Sequence, residues 1–297
     1  MCIICEHNTF NKPLTDLTYI NCSGCKTLIS IPYLPELEIL YCSECPSLTT
    51  IPELPKLRYL NCSGSRSLTT LPNLNVLDTL DCCNCILQEL PTFPLLERLD
   101  CDNNYYLETI PYSPHLTFLS CKGCSSLTSL PLLPRLQNLN CSGCPSLTSL
   151  PVFPALSVLH WYSYAKSPVI PELPSLRYLH CSGDFRELPV LPMLYFLDCS
   201  GSNISDIPSM PMLQLVFCRN CPRLTHISYL PGLFSLDCEG CTWLSQQNGE
   251  YNSNIEKLAT LQRIIKKKSF KRRIGRFITL KRHLRLPRVL AGLIAGY

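Results

Sequence analysis

Pairs of cysteines three residues apart are the feature of this sequence with the most obvious chemistry. Cys22/Cys25 with Cys42/Cys45 spells C-x2-C-x16-C-x2-C, and Cys121/Cys124 with Cys141/Cys144 and Cys218/Cys221 with Cys238/Cys241 spell it again. Four thiolates at such spacing suit a tetrahedral zinc ion. A second candidate is the pair His160 and His180, conceivable as part of a hydrolytic site. No nucleophile is spaced to serve them, so solvated surface histidines are the expectation. Neither a Gly-rich phosphate loop nor an H-E-x-x-H motif occurs. No catalytic residue, cofactor or metal is assigned, and a non-enzymatic chain is expected.

The cysteines belong to a longer pattern. Cys22, Cys42, Cys62, Cys82, Cys101, Cys121, Cys141, Cys181, Cys199, Cys218 and Cys238 lie 18 to 20 residues apart, except for one gap of 40 that Trp161 fills. Cys2 extends the register one step backwards. Around each anchor the chain reads roughly L-P-x-L-P-x-L-x-x-L-x-C-x-x-C-x-x-L-T-x, and Leu136, Leu139, Cys141, Cys144, Leu147 and Leu150-Pro151 form one clean copy. The 297 residues include 26 prolines and only 16% charged residues, a balance that suits disorder, but the leucines are too regular for that.

The spacing dictates how one copy folds. Leu139 and Cys141 alternate with Asn138, Asn140 and Ser142, the period of a strand with one buried face. So short a strand has no stability alone; stacked copies make a parallel sheet over one continuous leucine core. Prolines fall on the return segment, where a missing N–H breaks no ladder bond and the fixed φ favours a polyproline-like path. A 20-residue copy has no room for a return helix. The expected fold is a repeat solenoid, with a curved parallel β-sheet on the concave side and extended convex segments, over residues 1–245 in about 12 repeats.

The pattern L-x-x-L-x-C-x-x-C-x-x-L resembles the leucine-rich-repeat signature L-x-x-L-x-L-x-x-(N/C)-x-L, with Cys in place of the third leucine. The L-P-x-L-P segment and short period are similar to the repeats of bacterial effector proteins. The Cys-rich variant with a basic tail is similar to leucine-rich-repeat proteins of giant DNA viruses such as mimivirus. The resemblance implies a protein-binding scaffold, with a substrate-recognition module of a ubiquitin-ligase-type effector as the alternative. Effector ligases carry a large catalytic domain with a nucleophilic Cys after their repeats; here no Cys follows Cys241.

Repetition offers a second account of the cysteine pairs, beside that of a metal-binding Cys-rich protein. The first cysteine replaces a buried aliphatic residue on the strand. The second sits where Asn or Cys bonds the backbone of the following loop, with Asn104, Asp184, Ser65 and Ser202 as substitutes. Three residues apart on a strand, the two side chains would leave opposite faces unless the chain turns between them. Neighbouring strands about 4.8 Å apart lie within disulfide reach, yet an odd count of 21 and a buried ladder favour reduced thiols.

The concave face reads off as columns. One place before the anchor stand Asn21, Tyr41, Asn61, Asp81, Asp100, Ser120, Asn140, His160, His180, Asp198, Phe217 and Asp237. Three places before stand Tyr19, Ile39, Tyr59, Thr79, Arg98, Phe118, Asn138, Val158, Tyr178, Phe196, Leu215 and Ser235. Aromatics beside polar groups mark interaction surfaces, although cross-strand stacking also stabilises a sheet. The expected partner-binding residues are Tyr59, Asp81, Arg98, Asp100, Phe118, His160, Trp161, Tyr162, Tyr178, His180, Phe196 and Asp198. Trp161 is far larger than Cys, so a backbone bulge or an outward ring is expected there.

Charge divides the chain. Residues 251–297 hold 13 Lys/Arg and one acid, Glu256, for a net +12; residues 1–250 hold 13 Lys/Arg and 21 acids, for a net −8. After a linker at 246–252, Ser253-x-x-Glu256 reads as a capping box opening a basic helical tail, 253–297. Four roles suit it: a cap on the last repeat, a calmodulin-like partner through an IQ-type stretch, nucleic acid or nuclear import, or an anionic membrane. Lys266, Lys267, Lys268, Lys271, Arg272 and Arg273 would carry the anionic partner. Residues 1–12 show no secretory signal, and nothing approaches about 18 uninterrupted apolar residues. A monomer is expected inside the cell, in host cytoplasm if viral. With Cys2 in register, either the first repeat frays or the reading frame begins further upstream.

Overall fold

A computed structural model describes residue 4, residues 16–228 and residues 230–241, all within one unit of the chain, Met1–Gln246. Cys2, the linker at 246–252 and the basic tail 253–297 with its expected helix lie outside the described residues.

Each coil of the chain is built from three tight turns. In the copy around Cys141, the Leu136 amide donates to Leu133 O at 3.2 Å across Pro134, and the Leu147 amide donates to Cys144 O at 3.2 Å. Between them Gly143 takes a left-handed φ of 74°. Proline suits the second position of a tight turn because its φ is already set. The second proline of L-P-x-L-P thus bends the chain into the strand, and only the first lies in extended backbone. Most coils place a left-handed residue two places after the anchor: Gly24, Glu44, Gly64, Asn84, Asn103, Gly123, Gly143, Gly201, Asn220 and Gly240. Glycine and asparagine tolerate that region; Glu44 does so at a cost of about 1–2 kcal/mol.

Stacking the coils pairs their strands. They are β1 (Tyr19–Asn21), β2 (Ile39–Tyr41), β3 (Tyr59–Asn61), β4 (Thr79–Asp81), β5 (Arg98–Asp100), β6 (Phe118–Ser120), β7 (Asn138–Asn140), β8 (Val158–Ser163), β9 (Tyr178–Gly183), β10 (Phe196–Asp198), β11 (Asp206–Ile207), β12 (Leu215–Phe217), β13 (His226–Ile227) and β14 (Ser235–Asp237). Twelve form one sheet in chain order, while β11 and β13 pair separately at the side. Pairing is parallel throughout, with Leu139 opposite Leu119 and Leu159. The central residue of each sheet strand, from Ile20 to Leu236, points inward and is at most 7% exposed. Each buried leucine contributes about 1.5–3 kcal/mol, so the column from coil to coil is the core. No helix lies among the strands and turns of residues 16–228 and 230–241. No helix of the described residues is long and apolar enough to cross a membrane.

Candidate functional site

Both cysteines of a regular pair are buried, because the left-handed turn between them folds the second back inward. The second thiol bonds the coil before it, not the loop after it. Cys45 Sγ donates to Cys22 O at 3.1 Å, Cys144 Sγ to Cys121 O at 3.1 Å and Cys221 Sγ to Cys199 O at 3.1 Å. Ser65 Oγ does the same to Cys42 O at 2.8 Å, and Asn104 Nδ2 to Cys82 O at 2.9 Å. These bonds satisfy carbonyls that burial would otherwise strand. Ser202, buried too, contacts Cys221 Sγ at 3.6 Å. Asp184 departs from its expected ladder role: its carboxylate accepts the Ser167 amide at 3.0 Å and Asn203 Nδ2 at 2.8 Å.

The thiols also meet each other. The Cys22 thiol, against the effect of burial, holds Cys45 down to about 7, helped by the Cys25 and Gly24 amides. The Cys199 thiol brings Cys221 to about 7 likewise. The anchors move the other way: contact with Cys144, then burial, raises Cys121 well above an ordinary thiol. The nineteen described cysteines form no disulfide with one another, and only Cys83 among them is not buried.

The outward face of the sheet carries the two columns expected to bind. At its start Tyr19, Tyr41 and Tyr59 pack in sequence, with ring centroids 5.9 and 5.0 Å apart. In the middle the Arg98 guanidinium sits 3.5 Å from the Phe118 ring centroid, a cation–π contact. Beyond it the imidazoles of His160 and His180 stack at 4.6 Å, and His180, Phe196 and Phe217 continue the row. His180 Nδ1 lies 3.6 Å from Asp198 Oδ2. Tyr178 packs edge-on to Tyr195 at 6.1 Å. Tyr162 is exposed and packs edge-on against Tyr164 at 4.8 Å.

The histidines are half-buried rather than solvated. Burial, with His180 alongside, holds the His160 imidazole down to about 4. Burial pushes the Asp198 carboxyl up, but His180 and the Ser200 amide and hydroxyl bring it below the usual range. Phe196 is only 7% exposed, so its neighbours already cover most of it.

Trp161 corrects the expectation outright. Its ring is fully buried and meets Phe185 edge-on at 5.1 Å. Neither a bulge nor an outward ring makes room. Instead β8 and β9 run six residues each, where the other sheet strands run three. The alternation continues through Trp161, Tyr162 and Ser163, and Phe185 packs beside the indole. Trp161 therefore supports the site from beneath.

A third outward column, one place after the anchor, entered the sequence-based expectation only through Tyr162. It holds Cys83, Asp102, Lys122, Tyr162 and Arg219. The signal was present: period-two alternation carries a strand's outward face through that position. Cys83 Sγ donates to Asp100 Oδ1 at 2.8 Å, and Ser120 Oγ to Asp102 at 2.6 Å. Burial and the neighbouring Asp100 raise Asp102, although Ser120 opposes them. Donor atoms of Cys83, Asp100 and Asp102 lie within 4.8 Å of one another, the only such trio among the described residues. A cation fits that donor set, but the Cys83 hydrogen bond already satisfies part of it. Among the described residues the zinc-like spacings bring together no comparable trio; the second thiols of Cys45, Cys124, Cys144, Cys221 and Cys241 are spent on backbone carbonyls.

No family model and no curated protein matches the chain. Among solved structures, YopM from Yersinia enterocolitica WA-314 is similar, with a TM-score of 0.52 and 27% identity over 71% of this chain and 53% of that one. The fold is a leucine-rich-repeat solenoid. The chain spans about half the length of that YopM chain. YopM from Yersinia pestis, described as a leucine-rich effector protein, gives a TM-score of 0.47 at 24% identity, covering 75% of this chain and 78% of that one. The functional domain of InlJ from Listeria monocytogenes, described as including a cysteine ladder, gives 0.36 at 23% identity over 71% and 65%.

Proposed function

We propose that this leucine-rich-repeat chain is a binding scaffold that holds a protein partner on the outward, concave face of its sheet. The reading assigns no catalytic role to any residue. The observation that carries it is the composition of that face: three columns on parallel strands, where tyrosine, histidine and phenylalanine rings alternate with carboxylates. Rigid rings beside polar groups give contact area at small entropic cost. Tyr59, Asp81, Arg98, Asp100, Phe118, Tyr162, Tyr178, His180 and Asp198 would touch the partner, with His160 and Phe196 contributing their edges. In this reading the solenoid, 1–245, acts as a monomer inside the cell.

The test compares faces. A partner isolated with the full chain should bind at least tenfold more weakly when Tyr178→Ser and Asp100→Asn are combined. It should bind normally when Leu132 and Val152, exposed on the return segments, become serine. The reverse pattern would sink the reading.

A second, anionic partner is proposed for the tail, from its net charge of +12 over residues 251–297. Deleting 253–297 should abolish heparin binding, and that binding should weaken steeply with salt through counterion release. Heparin affinity that survives the deletion would remove the tail from the account.

A further inference from the structure

In six places the second cysteine of one coil donates its Sγ to the carbonyl oxygen of the anchor cysteine in the coil before, at 2.8–3.3 Å, which sets six pairs of thiols between consecutive coils. Cys22 meets Cys45, Cys121 meets Cys144 and Cys199 meets Cys221; the other three follow the same register. The second sulfur lies directly over the anchor residue, 3.1 Å from its carbonyl oxygen in these three pairs. We propose that these inter-coil pairs are sites of reversible two-electron oxidation, each closing into a disulfide between successive coils when the chain meets a peroxide.

The arrangement favours the inter-coil partner over the one nearby in sequence. Within a C-x-x-C pair, both cysteines flank a left-handed tight turn and each thiol is directed to a different neighbour. Between coils, Cys144 Sγ donates back to Cys121 O at 3.1 Å while Cys121 Sγ donates forward to Asn140 O at 3.6 Å, so each thiol of the pair is directed to the other's coil. The two thiols differ in acidity, which divides the labour. The second cysteine, lowered to about 7 in Cys45 and Cys221, supplies the nucleophile, since a thiolate attacks and a thiol does not.

The chemistry balances with hydrogen peroxide as oxidant. The thiolate of Cys221 attacks one peroxide oxygen; the O–O bond breaks, sulfenic acid forms and, with the thiol's proton, one water leaves. The Cys199 sulfur then attacks the sulfenic sulfur; the S–O bond breaks, the S–S bond forms and a second water leaves with the Cys199 proton. Two thiols are oxidised and one peroxide is reduced to two waters. A dithiol reductant reverses the step by exchange.

The fold includes its own controls. Cys42 faces Ser65 and Cys82 faces Asn104, so neither anchor has a thiol partner in the next coil.

The experiment takes the full reduced chain in native buffer, adds hydrogen peroxide, then unfolds it in N-ethylmaleimide and maps linked peptides by mass spectrometry. The expected links are Cys121–Cys144 and Cys199–Cys221, cleaved again by dithiothreitol, with Cys42 and Cys82 recovered alkylated. Within-coil links such as Cys121–Cys124, or full alkylation after native oxidation, would overturn the proposal. Cys144→Ser places a residue that Ser65 and Ser202 already show is accepted there. It should leave Cys121 alkylated while Cys199–Cys221 still forms. A Cys121 that links to Cys124 or Cys141 instead would overturn the assigned register. Cys221→Ser repeats the test in another coil, with Cys199 expected alkylated and Cys121–Cys144 retained.

Discussion

The coils from β2 to β7 and the two coils around β8 and β9 solve the same problem differently. Both bury a leucine on every strand, and both must then turn the chain away from the sheet. The regular coils turn at once, using a left-handed residue two places after the anchor and a small donor that caps the coil before. The β8–β9 coils extend three more residues, carry Tyr164 and Asp184 at the position of the small donor, and fill the space with Trp161 and Phe185. A coil is thus specified by volume and by turn chemistry together. Exchanging Cys for Trp is compatible with the stack only because the turn residue is absent too: Ser163 stands where the regular coils place a left-handed glycine, asparagine or, once, Glu44.

The most severe way to break this comparison attacks what the regions share. Leu136 is fully buried, and Leu136→Asp would bury an unpaired carboxylate, costing several kcal/mol. Thermal melting of that variant should show loss of cooperative structure. Asn140→Ala, on the outward face of β7, should shift the melt by no more than an ordinary surface change, about 0.5 kcal/mol. Equal losses would mean that inward and outward columns are misassigned.

A sharper test restores the regular residue at the irregular place. Trp161→Cys should cost about 3–5 kcal/mol, the range for emptying a large aromatic site. No left-handed residue at 163 waits to rebuild the tight turn, and Phe185 loses its neighbour. A melting shift no larger than that of a surface variant would show that the two coil types interconvert freely.

Glycine distinguishes the regions on a smaller scale. At Gly24 a Cβ would meet none of the described residues within 4 Å, so Gly24→Ala is expected to cost the left-handed backbone, about 1–2 kcal/mol. At Gly183 φ is 113° and a Cβ would come within 2.0 Å of the Ser163 carbonyl oxygen. That backbone cannot move without breaking the extended β8–β9 pairing. Gly183→Ala should therefore lower the melting temperature clearly more than Gly24→Ala; equal shifts would mean that β8 and β9 are not held so closely.

Much of this was legible in the sequence, for a physical reason. Period-two alternation around each anchor fixes which residues face in, and a fixed period fixes the register, so the strands and the stacking of Leu119, Leu139 and Leu159 follow directly. What was not legible depended on three-dimensional exchange of volume. From Trp161 alone, an inward indole and an outward one look alike, because the answer lies in Phe185, one coil later. The direction of the thiol bonds was hidden similarly: Cys45 and the carbonyl it serves belong to different coils. Cys83 and Asp102 were missed because, beyond the anchor, only Tyr162 was taken from the outward face, although the alternation runs past the anchor in the other coils too.

The smallest expected effect concerns pH and sits on the irregular side. In the folded chain the His160 imidazole is held near 4, against an ordinary value of 6.5. Between those values the unfolded chain takes up a proton that the folded chain refuses. Stability is therefore full above about pH 6.5 and falls as pH drops towards 4. Asp198, lowered by His180 and Ser200 despite its burial, acts in the same direction: its contribution is present at neutral pH and lost as acid protonates it. Asp102, raised by burial and by Asp100, opposes them, because the folded chain keeps its proton longer. His160→Asn removes one contribution alone, placing there the residue that Asn21, Asn61 and Asn140 supply in regular coils. Melting curves should then decline less between pH 6.5 and 4, with little change at pH 7.5. An unchanged slope would mean that the stacked histidines are solvated enough to accept a proton in place, and that the outward face near β8 and β9 is as open as the face of the regular coils.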